Sequence, residues 1–260
     1  MAIRLKTPDE LERMRRAGRV VRLVLDRLGE RIAPGVTTEE LDREAGRICR
    51  EHGAECLFNG VPGRGGAGPF PGNICASLND EVVHGIPSTR RAVREGDVLS
   101  VDFGVRLDGW CGDAACTYAV GEVSDDARRL LRVTETALAM AIDTIRPHRK
   151  WSDVARVMQS YIEEEGFSVV QDFVGHGIGR EMHEDPKIPN FVSRELLRGD
   201  IRLEEGMVLA IEPMVNMGSP AVRTAGDGWT VKTRDGLPSA HFEHTVAVVA
   251  GGADVLTDGR

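Results

Sequence analysis

The first part of the chain alternates apolar and polar residues with the period of a helix. Thr7 and Glu10 form a capping box with Pro8 at the first helical position, which is a strong signal for a helix start. Apolar residues then recur at steps of mostly three or four as far as Leu28. This spacing predicts one long helix with a single buried face, ending before the Ala-Pro-Gly sequence at 33–35.

Two further helices are expected from the same signals. Thr37 and Glu40 form a second capping box, and the helix that they begin is expected to end at Gly53. Later in the chain, Ser124 is a good N-cap for a long helix whose apolar face extends to Ile145. The second half of the chain therefore begins as the first half does.

The two halves are related by a shift of 113 positions. The shift carries Gly53 to Gly166, and it places the apolar positions of the second helix on those of a fourth helix. It predicts an internal repeat, about 7–120 and 124–250, within a single domain that spans 1–260. Coincidence is the alternative, because helix-ending signals of this kind are common.

Strand-like segments follow each pair of helices. They are rich in apolar residues and lie at 98–103, 112–120, 207–215 and 242–249. Helices followed by runs of strands are typical of an α+β fold, and we expect two pseudo-symmetric halves with antiparallel sheets covered by helices.

The predicted turn between the first two strands places two aspartates side by side. Asp108-Gly109 favours a type I′ hairpin with a two-residue loop. In the register set by this loop, Gly104 pairs with Asp113 and Asp102 pairs with Ala115, so the aspartates are diagonal neighbours on one face. Adjacent carboxylates in a buried sheet repel each other unless they are protonated or hold a cation. We interpret the pair as a metal site, with a structural role as the alternative.

More acidic and imidazole residues interrupt the apolar segments. Glu212 and Glu243 each lie within or at the start of an apolar strand, where either one alone could form a structural ion pair. His176 and His183 lie in a Gly-rich segment, and His84 precedes a Gly and a Pro that favour a turn. A lone histidine is more often structural than a ligand. Four acidic residues in four core strands are harder to explain in structural terms.

A Gly- and Pro-rich stretch at 60–72 is unsuited to helix or strand. No Gly-Lys-Ser/Thr sequence follows it, and no strand–loop–helix frame surrounds it, so we do not interpret it as a phosphate-binding loop. We expect a flexible surface loop near a functional site.

The composition restricts the classes of partner and the cellular location that we expect. The 33 Lys and Arg residues against 41 Asp and Glu residues give a net charge of −8, which argues against nucleic acid or an anionic membrane as the main partner. Five cysteines, an odd number, fit reduced thiols better than a disulfide framework. No apolar stretch approaches the length of a membrane helix, and the first six residues contain no signal-peptide core. We therefore expect a cytoplasmic protein.

The acidic and imidazole residues form an ordered set with specific neighbours. The segments concerned are 79–87, Asp102, Asp113, His176-Gly-Ile-Gly with His183-Glu184, Ile211-Glu212-Pro213 and Phe242-Glu243-His244-Thr245. Over nearly the whole chain this set resembles the type I methionine aminopeptidases in their short, bacterial-like form. The resemblance implies the pita-bread fold of creatinase and the aminopeptidases.

The resemblance also implies a site for two divalent cations, which would be Mn, Fe, Co or Zn. The ligands that carry over are Asp102, Asp113, His176, Glu212 and Glu243. Asp113 and Glu243 would bridge the metals, Asp102 would hold one of them, and His176 with Glu212 the other. The implied reaction is attack of a metal-bound hydroxide on the first peptide bond, which releases methionine.

Roles in catalysis and substrate binding carry over in the same way. Glu212 would accept a proton, His183 would stabilise the oxyanion, and His84 would contact the scissile amide and assist the leaving group. The methionine pocket would be lined by Phe70, Cys75, Met182 and Trp229. Met182 departs from the Phe that the family often has at that position.

The implied substrates are N-terminal Met peptides and nascent chains with a small second residue, which the protein would encounter at the ribosome, for instance. We expect the protein to be a monomer. The chain's own start, Met1-Ala2, fits this description. One alternative is a proline-directed aminopeptidase or prolidase, which usually carries a further N-terminal domain. The other is a non-catalytic binding module of the same fold, which would lack ligands that are present here.

Overall fold

The computed structural model describes residues 3–63 and 65–260. Met1, Ala2 and Arg64 lie outside this range, so the expectations about the Met1-Ala2 start are not addressed by the structure. Within the described residues no helix combines the length and apolar character needed to cross a membrane.

The predicted helices are present. The helices of the described ranges are α1 (Pro8–Arg31), α2 (Thr38–Glu51), α3 (Asp125–Thr144), α4 (Trp151–Glu164) and the short α5 (Arg194–Arg198). Thr7 and Thr37 each form the full reciprocal capping box with the Glu three residues later. Ser124 caps α3 by accepting a hydrogen bond from the Ala127 N–H. The local signals in the sequence therefore set these helix starts.

The strands of the first half are β1 (Glu55–Cys56), β2 (Cys75–Leu78), β3 (Glu81–Val83), β4 (Val98–Leu107) and β5 (Trp110–Ala119). Those that follow are β6 (Ser168–Val169), β7 (Gly175–Gly177), β8 (Glu184–Ile188), β9 (Val208–Ile211), β10 (Met214–Asn216), β11 (Val222–Thr224), β12 (Val231–Thr233), β13 (Ser239–His241), β14 (His244–Val249) and β15 (Gly252–Val255).

These strands form four antiparallel sheets among the described residues. In the first half, β5 pairs along one edge of β4, and β1 and β2 pair with different stretches of its other edge. A five-stranded sheet has the order β15-β14-β9-β7-β8, and two smaller sheets have the orders β13-β10-β6 and β11-β12-β3. The expected α+β class with antiparallel sheets is confirmed.

The β4–β5 hairpin has the predicted register. Asp108 and Gly109 both have positive φ values, 50° and 76°, as a type I′ turn requires. Gly104 pairs with Asp113, and Asp102 pairs with Ala115. The two aspartates are therefore diagonal neighbours on the same face of the hairpin, as the sequence indicated.

Two of the predicted strands are broken. The segment 207–215 forms β9 and β10, which belong to different sheets, with Glu212 and Pro213 between them. The segment 242–249 is regular only from His244, and Glu243 lies between β13 and β14. The expectation that Glu212 lies inside a strand is therefore wrong, and Glu243 directly precedes a strand rather than lying within it. Pro213 has no N–H to donate to a ladder, so the strand ends where the chain crosses between sheets.

Each half has its own apolar core beneath its helices. In the first half, Leu28 of α1 and Leu41 of α2 pack with Leu99, Val101 and Phe103 of β4. In the second half, α3 and α4 pack over β9 and β14 in the same manner. Because neighbouring strand residues point to opposite faces, these contacts turn Asp102 away from the helices. The division of the single domain into a repeat of 7–120 and 124–250 stays a prediction.

Candidate active site

The predicted acidic residues converge from four places in the chain. Asp102 lies in β4 and Asp113 in β5, on the face that is turned away from α1 and α2. Glu212 lies between β9 and β10, and Glu243 between β13 and β14, where the chain crosses from one sheet to another. Asp113 and Glu243 are both 2% exposed, so they form the inner wall of the cluster.

The free edge of β5 joins the two halves at this cluster. The Cys111 N–H donates to the Gly179 carbonyl oxygen at 2.8 Å, which holds the segment after His176 against the strand. Four residues on, the Glu243 N–H donates to the Ala115 carbonyl oxygen at 2.9 Å. Backbone groups of β5 therefore fix the segments that carry a histidine and a glutamate of the cluster, because buried N–H and C=O groups must find partners.

Several carboxylate oxygens of the cluster have no hydrogen-bond partner. They are Asp102 Oδ1, Asp113 Oδ1 and Glu243 Oε1, all shielded from solvent. Burial raises the pKa of Asp113 to about 7. Burial, followed by repulsion from neighbouring carboxylates, raises the pKa values of Asp102, Glu212 and Glu243 well above the ordinary range. Buried carboxylates without partners are the chemistry expected of cation ligands.

His176 presents a nitrogen to the same cluster. Its Nδ1 lies 2.9 Å from the Gly177 carbonyl oxygen. When Nδ1 carries the proton and donates it to this oxygen, Nε2 is unprotonated and has a lone pair for a metal. That Nε2 is 3.6 Å from Glu212 Oε1 and 3.9 Å from Asp113 Oδ2. Burial, and then the neighbouring His183, lower the pKa of His176 to about 4, so the ring is neutral at pH 7.

The donor set fits a divalent metal. One ligand atom each from Asp113, His176 and Glu243 lie within 4.8 Å of one another. Mixed carboxylate and imidazole donors suit Mn, Fe, Co or Zn better than Ca or Mg. Asp102 and Glu212 add two further carboxylates at the edge of this group.

The two other predicted histidines lie beside the cluster. The His183 ring is 4.3 Å from the His176 ring between centroids, on the exposed side. His84 has a positive φ of 59°, a conformation that non-glycine residues rarely adopt. The edge-to-face contacts of its ring are with Phe173, at 5.6 Å, and with Trp229, at 6.3 Å. Backbone strain of this kind is common at functional sites.

The four residues predicted for the pocket come together in one apolar cluster. Its members are Phe58, Phe70 and Cys75, with Leu57, Ile86, Met182 and Trp229 packed against them. The cluster adjoins the acidic residues at Gly104, where an added Cβ would lie 3.2 Å from Asp113 Oδ1, Met182 Cε and Phe58 Cε1. A glycine here keeps space open between the acidic cluster and the apolar cluster.

Part of the Gly- and Pro-rich stretch borders this cluster. The Trp229 Nε1–H donates to the Gly68 carbonyl oxygen at 2.9 Å, and the Phe70 and Trp229 rings meet edge to face at 5.1 Å. Phe70 is 2% exposed, whereas most of the stretch is exposed. The stretch is therefore near the site, as expected.

The sequence interpretation missed His241. Its Nε2 is buried without a hydrogen-bond partner, 3.8 Å from Glu212 Oε2 and 4.0 Å from Glu243 Oε2. Burial, followed by the charge of His84, lowers its pKa to about 3. A signal was available, since residues two apart in an extended segment face the same side and His241 precedes Glu243 by two. Phe58 was also missed, because nothing in its local sequence marks it.

The sequence matches known proteins over nearly its full length. Residues 12–250 match the model of metallopeptidase family M24. Methionine aminopeptidase 1 of Bacillus subtilis is 48% identical over 252 residues, which cover 97% of this chain and 98% of that protein.

Solved structures show the same likeness. The crystal structure of methionine aminopeptidase from Thermotoga maritima is 42% identical with a TM-score of 0.92, and the alignment covers 98% of this chain and 99% of that one. An Xaa-Pro dipeptidase from Bacillus anthracis is 24% identical with a TM-score of 0.76, covering 98% of this chain and 62% of that one, and this likeness concerns the fold alone. The expected pita-bread fold is confirmed.

Proposed function

Since this chain belongs to metallopeptidase family M24, as one of its methionine aminopeptidases, we propose that it uses two divalent cations to remove an N-terminal methionine that precedes a small residue. The observation that carries the proposal is the position of Gly104, between the orphaned Asp113 Oδ1 and the apolar cluster that contains Met182 and Phe58. A hydrolytic centre and a pocket for an apolar side chain adjoin at that point.

The proposed ligands are Asp102, Asp113, His176, Glu212 and Glu243. Asp113 and Glu243 are the most deeply buried of the carboxylates, which supports a shared, bridging position for both. Asp102 would hold one cation, and His176 with Glu212 the other. Two divalent cations balance the charge of four ionised carboxylates, which favours two ions over one.

When bound, such cations would polarise the scissile carbonyl group and lower the pKa of the attacking water. Glu212 takes up the proton from the attacking water at a carboxylate oxygen. His183 donates a hydrogen bond to the carbonyl oxygen as that oxygen gains charge. His84 contacts the amide nitrogen and supplies a proton to the leaving amine.

The apolar cluster around Phe70 and Cys75 receives the methionine side chain. Thioether contacts with the Phe70 and Trp229 rings add to the burial of apolar area, so methionine is preferred over leucine. Phe70 is buried and Trp229 is partly exposed, which places Trp229 nearer the entrance. The preference for a small second residue rests on the family resemblance.

The substrate class and the metal dependence are tested together. Purified protein is treated with a chelator and assayed on Met-Ala-Ser, Leu-Ala-Ser and an Xaa-Pro peptide, before and after addition of Mn, Fe, Co or Zn. We expect no activity without metal, and restored cleavage of Met-Ala-Ser above Leu-Ala-Ser. Full activity after chelation would exclude the metal mechanism.

The number of cations is tested with ligand variants. Asp113→Asn and Glu243→Gln should each weaken both metal positions, whereas Asp102→Asn should weaken one. Metal bound per chain is measured by elemental analysis after equilibrium dialysis. Asp153 is a half-buried acidic residue of α4, away from the cluster, so Asp153→Asn is the control and should bind metal as the wild type does.

A proline-directed peptidase is the second candidate, favoured by the fold shared with the Xaa-Pro dipeptidase. It predicts cleavage of the Xaa-Pro peptide and no preference for methionine. The same assay distinguishes the two functions.

A further inference from the structure

The segment before α1 places a charged residue inside the protein. The Lys6 side chain is 2% exposed, and its Nζ lies 2.8 Å from Glu184 Oε2. The Lys6 N–H also donates to the Gly206 carbonyl oxygen at 2.7 Å, which fixes the segment on the second half. A buried ammonium group is costly unless it is paired, so this ion pair is a strong constraint on both residues.

The Glu184 carboxylate also organises the turn that precedes it. Its Oε1 accepts hydrogen bonds from the Arg180 N–H at 2.8 Å and the Glu181 N–H at 3.3 Å. One carboxylate therefore closes the turn at 180–184 while its other oxygen binds Lys6. The hydrogen bonds to Lys6 and to these N–H groups offset burial and hold the Glu184 pKa below its ordinary value.

The pair is packed without free space against the start of the same turn. An added Cβ at Gly179 would lie 2.5 Å from Glu184 Oε1 and 2.7 Å from Lys6 Cε. Gly179 is held in turn by the Cys111 N–H, and Glu184 pairs with Gly177 in the sheet. The turn is thus fixed at both ends, and the Glu184 carboxylate links its first residues to its last.

His183 lies inside this turn, directly before Glu184. Its ring is 4.3 Å from the ring of His176, so a small change in the turn alters the distance between a proposed oxyanion donor and a proposed metal ligand. We infer that Lys6 is a positioning residue for His183 and acts through the Glu184 carboxylate. This inference rests on the function proposed above for His183.

Loss of the ammonium group leaves the Glu184 carboxylate in a half-buried place without its cation. The carboxylate then turns toward solvent or takes up a proton, and the two N–H groups of the turn lose their acceptor. His183 keeps its chemistry but not its position. A displacement of about 1 Å at a reacting centre costs up to about 10²-fold in rate.

The test compares Lys6→Met, Glu184→Gln, the double variant and His183→Ala in the metal-loaded protein. The matched control is Arg15→Met. Arg15 is also a cation of the N-terminal region with a largely buried side chain, 16% exposed, but it pairs with Asp254 and donates to the Val255 carbonyl oxygen, away from the turn. For each variant, kcat and KM on Met-Ala-Ser, bound metal and melting temperature are measured, with assays well below every melting temperature.

We expect Lys6→Met to lower kcat about 10-fold, less than the loss of about 10²–10³-fold that is typical when an oxyanion donor is removed, because His183 is displaced but still present. KM and bound metal should stay near wild type, because His183 acts in the transition state and binds no metal. The double variant should be no slower than the slower single variant, since both changes act through one carboxylate. Arg15→Met should lower the melting temperature and leave kcat unchanged.

A second readout is independent of turnover. The imidazole ¹⁵N signals of His183, assigned by their absence in His183→Ala, should shift in Lys6→Met and in Glu184→Gln but not in Arg15→Met. If Lys6→Met keeps the wild-type kcat and unshifted signals while His183→Ala loses kcat, the inference about Lys6 is overturned and the role proposed for His183 stands. Wild-type kcat in His183→Ala would overturn the role proposed for His183 and the inference with it. If Lys6→Met does not fold, Glu184→Gln decides by the same two readouts.

Discussion

Asp113 and Thr245 exchange two hydrogen bonds across the boundary between the halves. The Asp113 N–H donates to Thr245 Oγ1 at 3.1 Å, and the Thr245 hydroxyl donates to the Asp113 carbonyl oxygen at 2.8 Å. Thr245 is fully buried in β14 and Asp113 lies on the free edge of β5. One side chain therefore satisfies both backbone groups of a proposed bridging ligand.

Thr245→Val should destabilise the protein and weaken metal binding together. Valine has the same shape but leaves the Asp113 N–H and carbonyl oxygen buried without partners. Each unpartnered group lowers the free energy of unfolding by about 1–3 kcal/mol. We expect the free energy of unfolding to fall by about 2–6 kcal/mol, and the metal affinity to fall with it, because the ligand's backbone is no longer fixed. Chemical denaturation and metal content after dialysis measure the two effects.

Thr134→Val is the matched control for that prediction. Thr134 is equally buried, but its hydroxyl donates to the Leu130 carbonyl oxygen, which also accepts a backbone hydrogen bond within α3. The control should lose less than about 1 kcal/mol and no metal affinity. Equal effects in the two variants would show that the Asp113 contact has no special role.

The alanine variants of the three histidines should differ in how much metal they bind. His176→Ala removes the nitrogen that faces Glu212 and Asp113, so bound metal and kcat should both fall. His84→Ala and His183→Ala should keep their metal and lose kcat, by about 10²–10³-fold for His183 as an oxyanion donor. Elemental analysis, melting temperature and kcat are measured on the same preparations.

A purely structural role for these histidines predicts a different result. Each variant would then melt at a lower temperature but keep its kcat per folded molecule. Unchanged metal content in His176→Ala would remove that residue from the ligand set.

Metal binding should release protons near neutral pH. The folded, metal-free site holds its carboxyl protons to a higher pH than usual, because burial raises the pKa of Asp113 to about 7 and those of Glu212 and Glu243 well above their ordinary range. Ligation requires the ionised form, so the cation displaces these protons and its apparent affinity falls as the pH falls below 7. His176, with its pKa lowered to about 4, is already neutral and releases none.

Calorimetric titration with Mn²⁺ at pH 6.5, in two buffers of different ionisation enthalpy, counts the released protons. Asp113→Asn should release fewer protons than the wild type. A binding heat that is the same in both buffers would contradict the prediction.

Trp229→Phe should weaken substrate binding more than turnover. Phenylalanine keeps an aromatic edge toward Phe70 but cannot donate to the Gly68 carbonyl oxygen. Loss of one hydrogen bond, worth about 0.5–1.5 kcal/mol, should raise KM for Met-Ala-Ser by about 2–12-fold with kcat little changed. Trp151→Phe is the control: its Nε1–H donates to the Pro189 carbonyl oxygen in the second core, so its loss should lower stability alone. The same KM increase in both variants would argue against a role for Trp229 in the pocket.

The sequence by itself determined the elements whose cause is local. The capping boxes at Thr7 and Thr37 set helix starts, because the bonding atoms are three residues apart. Asp108-Gly109 set the hairpin register, and with it the diagonal placement of Asp102 and Asp113. The ligand roles came from resemblance to a family, since spacing and composition alone indicated a metal site without defining its members.

The tertiary structure decided the rest. It placed Glu212 and Glu243 at crossings between sheets, brought His241 to both, and paired Lys6 with a residue 178 positions away. The Asp113–Thr245 contact likewise spans 132 positions. Periodicity reports only which face of an element is apolar, because it arises from backbone geometry over a few residues. A hydrogen bond between distant segments leaves no such repeat, so only packing of the two halves specifies it.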